Sequence, residues 1–179
     1  MNFELEKQNA LNKNDKSHEQ KIDDKIISLC NKINSSPNFF TTSSCSGRIT
    51  IVRTKDKKEP NTFLFKSHKP ITTNQIKNTI KNHAETIYFR MEPAALHVAA
   101  KTLNDAITLL TKARNVGFKK SGIIPGKDKF MIEMFSTEII AAPLNKDTPD
   151  DYLELLVTEA NEKLKRTNDK IERLEEVIS

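Results

Sequence analysis

The sequence predicts an α+β fold: a central mixed or antiparallel sheet carrying packed helices, with long helices at the N- and C-terminal ends. Three observations predict it. Short runs of β-branched or aromatic residues recur through the middle of the chain (Ile49-Thr50-Ile51-Val52, Phe63-Leu64-Phe65, Ile87-Tyr88-Phe89), and such residues suit a pleated, half-buried surface. Segments with apolar residues at three- and four-residue spacing precede, interrupt and follow these runs. Proline and glycine fall mainly at the joints, where they punctuate structure.

The elements follow in chain order. Residues 1–34 are rich in Lys, Asn and Asp, and Ile22, Ile26, Ile27, Leu29, Cys30 and Ile33 fit one face of a helix. Ser35-Ser36-Pro37-Asn38 ends it, because Pro disfavours helix at itself and one residue earlier. Ile49–Val52 and Phe63–Phe65 pair as a hairpin across a charged turn from Thr54 to Pro60. A helix from Thr72 to Asn82 turns Ile76 and Ile80 inward, capped by Thr72 or Thr73. Glu85–Arg90 and Ala95–Ala100 are strands separated by Pro93, and His97 alternates with Leu96 and Val98. Leu103–Val116 is an amphipathic helix with Leu103, Ala106, Ile107, Leu110 and Ala113 on one face, and Gly117 stands where a left-handed residue closes it. Ser121–Ile124, Phe130–Met134 and Glu138–Ala141 are short strands, the first two joined by a turn at Pro125–Asp128. With Thr148 as cap and Pro149 in the first turn, a last helix runs from Asp150 nearly to the end. Its stripe is Leu153, Leu156, Val157, Ala160, Leu164, Ile171, Leu174 and Ile178. The organisation expected is a polar helical segment (1–34), an α+β catalytic core (35–146) and a C-terminal helix packed on it (147–179), one domain overall.

Composition bounds the function classes. The 179 residues carry a formal charge of +5, a surplus that favours encounter with polyanions without proving it. Cys30 and Cys45 lie far apart, with no CxxC or Cys/His cluster, so neither structural zinc nor a disulfide framework is expected. The N-terminus lacks an apolar signal core and no apolar run reaches membrane-spanning length, which predicts a cytoplasmic protein. The four glycines form neither GxG nor a phosphate-binding loop, so a Rossmann-type nucleotide site is not predicted.

The feature that stands out is Thr41-Thr42-Ser43-Ser44-Cys45-Ser46, six hydroxyl or thiol residues leading into Gly47-Arg48. Small polar side chains and a glycine let backbone approach a ligand, hydroxyls and amides hold polar groups, and an arginine adds an anion contact. The same residues also read as a Ser/Thr-rich loop entering a strand, with Cys45 a small buried residue or, as a third reading, a nucleophile.

The run Thr42-Ser43-Ser44-Cys45-Ser46-Gly47-Arg48-Ile49 resembles the most recognisable motif of the tRNA wybutosine-synthesising protein 3 family. Ser67-His68-Lys69-Pro70, Arg90-Met91-Glu92-Pro93-Ala94-Ala95-Leu96-His97-Val98, Gly117-Phe118-Lys119-Lys120-Ser121-Gly122-Ile123 and Ser136-Thr137 are similar to its later segments, in the same order, over roughly residues 36–160. The chain departs from the pattern in having no Trp near Phe65 and Ala99-Ala100 where a Cys or Arg is common. The resemblance implies methyl transfer from S-adenosyl-L-methionine to N4 of the guanosine-derived tricyclic base beside the anticodon of tRNA-Phe; separately, a monomer without metal is expected.

Under that resemblance His97 and His68 are the general-base candidates, since an imidazole ionises near ~6.5 in water; a structural histidine is the competing reading for each. Ser43, Ser44, Ser46, Gly47, Arg48, Ser121 and Gly122 are the candidates for holding the cofactor, and Glu92, Lys119 and Lys120 for holding base or RNA. Lys55, Lys57 and Lys58 on the hairpin tip are further phosphate candidates. Phe39 and Phe40 read either as base-stacking platforms or as core, and His18 and His83 as bystanders in polar helices. The competing function is a non-catalytic RNA-binding module, supported by the basic balance and the missing glycine loop.

Overall fold

The computed structural model describes residues 2–12, 23–53, 62–126 and 128–178. Its elements are α1 (Phe3–Leu11), α2 (Asp24–Ser35), β1 (Phe39–Cys45), β2 (Arg48–Val52), β3 (Phe63–Ser67), α3 (Thr73–Ile80), β4 (Ile87–Glu92), β5 (Ala95–Ala100), α4 (Leu103–Asn115), β6 (Lys120–Pro125), β7 (Phe130–Phe135), β8 (Ile140–Leu144) and α5 (Asp150–Val177). The α+β class is as expected. The strands pair antiparallel in two four-stranded sheets, β1-β5-β7-β6 and β3-β2-β4-β8, where the sequence suggests one. Sheet membership rests on distant pairings, such as Phe39 with Ala100 and Tyr88 with Pro143, which local patterns do not carry.

The chain divides into two compact units. The first comprises Met1–Ser46, Ala94–Thr137 and Thr167–Ser179. One face of its sheet (Leu96, Val98, Ala100, Ile132, Met134) is buried with Ile26, Leu29, Cys30 and Ile33 of α2, Ala106, Leu109 and Ala113 of α4, Phe118, and Ile171, Leu174 and Ile178. On the opposite face α1 covers one end, where the Phe3 ring meets the Phe40 ring at a tilt, 5.2 Å between centres, beside Ala99. The second unit comprises Gly47–Pro93 and Glu138–Arg166. Ile49, Ile51, Ile87, Phe89, Met91, Ala142 and Leu144 of its sheet pack with Ile76 and Ile80 of α3 and with Leu153, Leu156, Val157, Ala160 and Leu164 of α5. The predicted stripe on the last helix is therefore buried throughout, its first five members in one core and its last three in the other.

Local chemistry explains the element ends. Thr72 caps α3, and Gln75 returns the bond to the Thr72 amide, a reciprocal capping box. Gly117 takes φ +112°, and the Phe118 amide donates to Ala113 O at 2.9 Å, closing α4 as its position predicts.

Several expectations are corrected. Thr41–Cys45 belongs to strand β1 rather than a loop, because its backbone pairs with β5. The polar helical segment expected over 1–34 contains α1 as well as α2, and the apolar face that the sequence shows lies on α2. On α4 the buried residues are Ala106, Leu109 and Ala113, while Leu103 and Ile107 are about half exposed; the stripe is rotated toward Leu109. Strand β8 begins at Ile140 rather than Glu138, whose carboxylate pairs with Arg166. His83 lies beyond the end of α3 and bonds Glu85 at 2.6 Å. Thr148 accepts from the Asn145 amide within the turn before α5. Phe40 is core, and Phe39 packs against the first core. His18, Ile22, Lys55, Lys57 and Lys58 lie outside the described residues. Among the described residues no helix is long and apolar enough to cross a membrane.

Candidate functional site

In the first unit the expected residues Ser43, His97 and Gly122 fall in one row across all four strands. Ser43 is opposite His97, His97 opposite Glu133, and Glu133 opposite Gly122. A β-bulge makes this possible. The β1–β5 register shifts between Thr41 and Ser43, so that Phe40 and Ser43 project on the same face, with Thr42 taken up in the bulge. Ser43 Oγ lies 2.6 Å from His97 Nδ1, and Thr42 Oγ1 donates to His97 O. On its other side His97 Nε2 is 3.6 Å from Glu133 Oε1. The Phe135 ring meets the imidazole edge-on at 5.7 Å. At Gly122 an added Cβ would meet no heavy atom of the described residues within 4 Å, so among them the row ends in open space.

The other candidates in this unit have local work. Ser46 is buried, and its amide and hydroxyl both donate to Asp23 Oδ2, at 2.9 and 3.3 Å. Ser44 hydrogen-bonds Cys30, which opposes the dominant effect of burial; the net result is a thiol pushed up from its ordinary value. Ser121 Oγ donates to Phe118 O and accepts from the Phe135 amide, tying β6 to β7. Lys119 and Lys120 are exposed. Cys45 is half-buried at the end of β1, opposite Ala95. Ser136 is buried and exchanges two hydrogen bonds with Ala94, its hydroxyl accepting from the Ala94 amide at 3.1 Å.

In the second unit Gly47, Arg48, His68 and Glu92 come together. Arg48 and Glu92 are opposite one another on β2 and β4, and Arg48 Nε donates to Glu92 Oε2 at 2.5 Å. The guanidinium also lies 5.1 Å from the centre of the half-exposed Phe63 ring. His68 Nδ1 lies 3.0 Å from Gly47 O. Two of the motifs contain the passage between the units, at Ser46–Gly47 and at Pro93–Ala94. Gly47 has φ +89°, which costs an L-residue roughly 1–2 kcal/mol. Gly47→Ala is therefore expected to lose about 1–2 kcal/mol in urea denaturation, while Gly122→Ala changes stability by less than about 0.5 kcal/mol. Equal midpoints for the two variants would contradict this account of Gly47.

Sequence reasoning missed Glu133 and the bulge. The signal for Glu133 was present as the one charged residue in Phe130-Met131-Ile132-Glu133-Met134-Phe135. The bulge has none, since Thr42 differs in no way from its neighbours.

Two antiparallel sheets bearing histidines, hydroxyls and paired carboxylates, and no glycine-rich loop, define a class apart from Rossmann-type nucleotide enzymes. Solved structures share the fold. A protein from Pyrococcus horikoshii superposes with a TM-score of 0.89 at 35% identity, over 99% of this chain and 96% of that one. A protein from Aeropyrum pernix gives 0.78 at 25% identity, over 87% and 96%.

The chain belongs to the methyltransferase TYW3 family, whose profile matches residues 4–179. It is 41% identical to the tRNA(Phe) 7-((3-amino-3-carboxypropyl)-4-demethylwyosine(37)-N(4))-methyltransferase of Thermococcus sibiricus, over 99% of this chain and 94% of that protein. It is 33% identical to the tRNA wybutosine-synthesizing protein 3 homolog of Danio rerio, over 98% and 74%.

Proposed function

We propose that this enzyme transfers a methyl group from S-adenosyl-L-methionine to N4 of the 7-aminocarboxypropyl-demethylwyosine-type base beside the anticodon of tRNA-Phe. The observation that carries the reading is the family match along almost the whole chain, together with relatives named for that reaction. When bound, S-adenosyl-L-methionine supplies a methyl carbon on a positively charged sulfur, open to attack by the ring nitrogen. The residues present suit such a ligand: the exposed Ser43 offers a hydroxyl to its polar groups, and the row that starts there ends at Gly122 in open space.

Within this reading His97 is the base. Its Nδ1 is engaged by a hydroxyl on the exposed Ser43, the arrangement needed to take a proton. His68 holds the Gly47 carbonyl and so positions the turn. The cofactor candidates separate by role. In the first unit Ser43 and Gly122 present a hydroxyl and space to a ligand, while Ser44, Ser46 and Ser121 hold the backbone around them; in the second Arg48 presents its guanidinium and the buried Gly47 makes the turn before it. The Arg48–Glu92 pair presents a donor fork and a carboxylate. Lys119 and Lys120 contact RNA phosphate, giving salt-dependent affinity. The site of action is the cytoplasm and the enzyme works as a monomer.

Calorimetry with S-adenosyl-L-methionine, followed by methyl transfer to tRNA-Phe carrying the N4-unmethylated base, tests the reading. Saturable binding and a methylated tricycle are expected, with no transfer to tRNA already methylated at N4. Absence of binding with and without the tRNA would overturn it in favour of the non-catalytic RNA-binding module.

A further inference from the structure

The base assigned to the reaction has one ring nitrogen engaged and one not. Nδ1 of His97 is 2.6 Å from Ser43 Oγ. Nε2 is buried and has no hydrogen-bond partner among the described residues. Leaving a buried ring nitrogen unpaired costs on the order of 1–3 kcal/mol, so the site favours a polar group able to close on it. Glu133 is the acidic residue opposite His97 in the β5–β7 register, with Oε1 at 3.6 Å, just beyond hydrogen-bond reach. It makes no other ion pair among the described residues. Its side chain is 44% exposed, which leaves it free to move. Phe135 at the ring edge restrains the imidazole from turning away.

We propose that Glu133 is a positioning residue for His97, and that it works with Ser43 in a proton path across three strands. The proposal rests on the reading of His97 as base. The carboxylate closes on Nε2–H, which selects the tautomer whose Nδ1 carries the lone pair. Nδ1 then accepts from the Ser43 hydroxyl. Because Nε2 is buried and Ser43 exposed, a substrate reaches this base through Ser43. One proton passes from the ring nitrogen of the substrate to Ser43 Oγ as the Ser43 proton passes to Nδ1. The ring nitrogen keeps the bonding pair for its new bond to carbon. The positive charge lost from the donor sulfur ends on an imidazolium flanked by the Glu133 carboxylate. The arrangement follows the logic of hydroxyl–imidazole–carboxylate triads, with the two ring nitrogens exchanged.

The test begins on the protein without ligand. Long-range ¹H–¹⁵N spectra of the imidazoles should show His97 chiefly as the Nε2–H tautomer. In Glu133→Ala the population should move toward Nδ1–H, and Glu133→Gln, which keeps an acceptor but not the charge, should restore it. In single-turnover methyl transfer Glu133→Ala should slow the step on the order of tenfold or more, as expected for loss of one charge contact in the transition state. Half-saturation by tRNA should stay unchanged, and Glu133→Gln should recover only part of the rate. An identical His97 tautomer in wild type and Glu133→Ala overturns the proposal, and so does unchanged turnover in Glu133→Ala while His97→Ala is inactive. Unchanged turnover in His97→Ala overturns the reading beneath it.

Discussion

Replacing His97 by Ala is expected to slow methyl transfer about 10²–10⁴-fold, the range a positioned general base contributes, in a protein that still folds. The two parts of this expectation have different origins. On the proposed reading activity depends on Nδ1, held 2.6 Å from Ser43 Oγ by the pairing of β1 with β5. Alanine leaves Ser43 with no acceptor for its proton, and no neighbour in the register can take that place: the residues flanking His97 on β5, Leu96 and Val98, point into the core. Stability depends on those two residues far more than on the imidazole. The ring is on the opposite face, its side chain 32% exposed, against the edge of Phe135. Its removal opens no enclosed cavity, and the change in urea denaturation should stay within about 1 kcal/mol. Single-turnover assays at saturating cofactor and tRNA separate the chemical step from binding. Wild-type rates in the folded variant would remove His97 from the reaction.

The helical half of the fold is written in local periodicity, and its legibility follows from that. All eight residues of the predicted stripe on α5 are buried, because a 3.6-residue repeat needs only near neighbours in sequence to be visible. The same stripe hides the division of the chain. Leu164 and Ile171 look alike in sequence, yet they belong to different cores. A period reports that a face is covered and not by what. Strands show the same limit. Val98 and Ile132 announce a strand, whereas the partner of each is fixed by pairings that are distant in sequence.

The candidate residues divided in a comparable way. Ser43 and His97, from motifs more than fifty residues apart, share a hydrogen bond. Gly47, Arg48, His68 and Glu92 also meet. Ser46 and Ser121 look like Ser43 as sequence, but their hydroxyls are spent on Asp23 and on Phe118 and Phe135. A hydroxyl's availability is a property of its neighbours in space. The bulge at Thr42 decides it for Ser43, by turning that side chain to the His97 face.

Phe118→Ala is expected to give the largest loss of stability, about 3–5 kcal/mol, a substantial share of the 5–15 kcal/mol typical of a folded domain. Phe118 is fully buried and shares a core with Ala113, Ile171 and Leu174. The magnitude follows from how little the backbone there can yield. Its amide is bonded to Ala113 O at 2.9 Å, its carbonyl accepts from Ser121 Oγ at 2.5 Å, and Gly117 just before it holds φ +112° under the Lys170 side chain. A chain pinned on both sides cannot collapse into the space of a lost ring, so the cavity term adds to the lost transfer free energy. Leu103→Ala on the same helix–loop segment is the contrast: Leu103 is 48% exposed, and its truncation should change stability by less than about 0.5 kcal/mol. Urea midpoints measure both variants. Hydrogen exchange locates the loss, with protection in Phe118→Ala expected to fall in the β1-β5-β7-β6 sheet more than in the β3-β2-β4-β8 sheet. A loss below about 1.5 kcal/mol, or an equal fall in both sheets, would mean that the ring is not the keystone of the first core that its burial makes it.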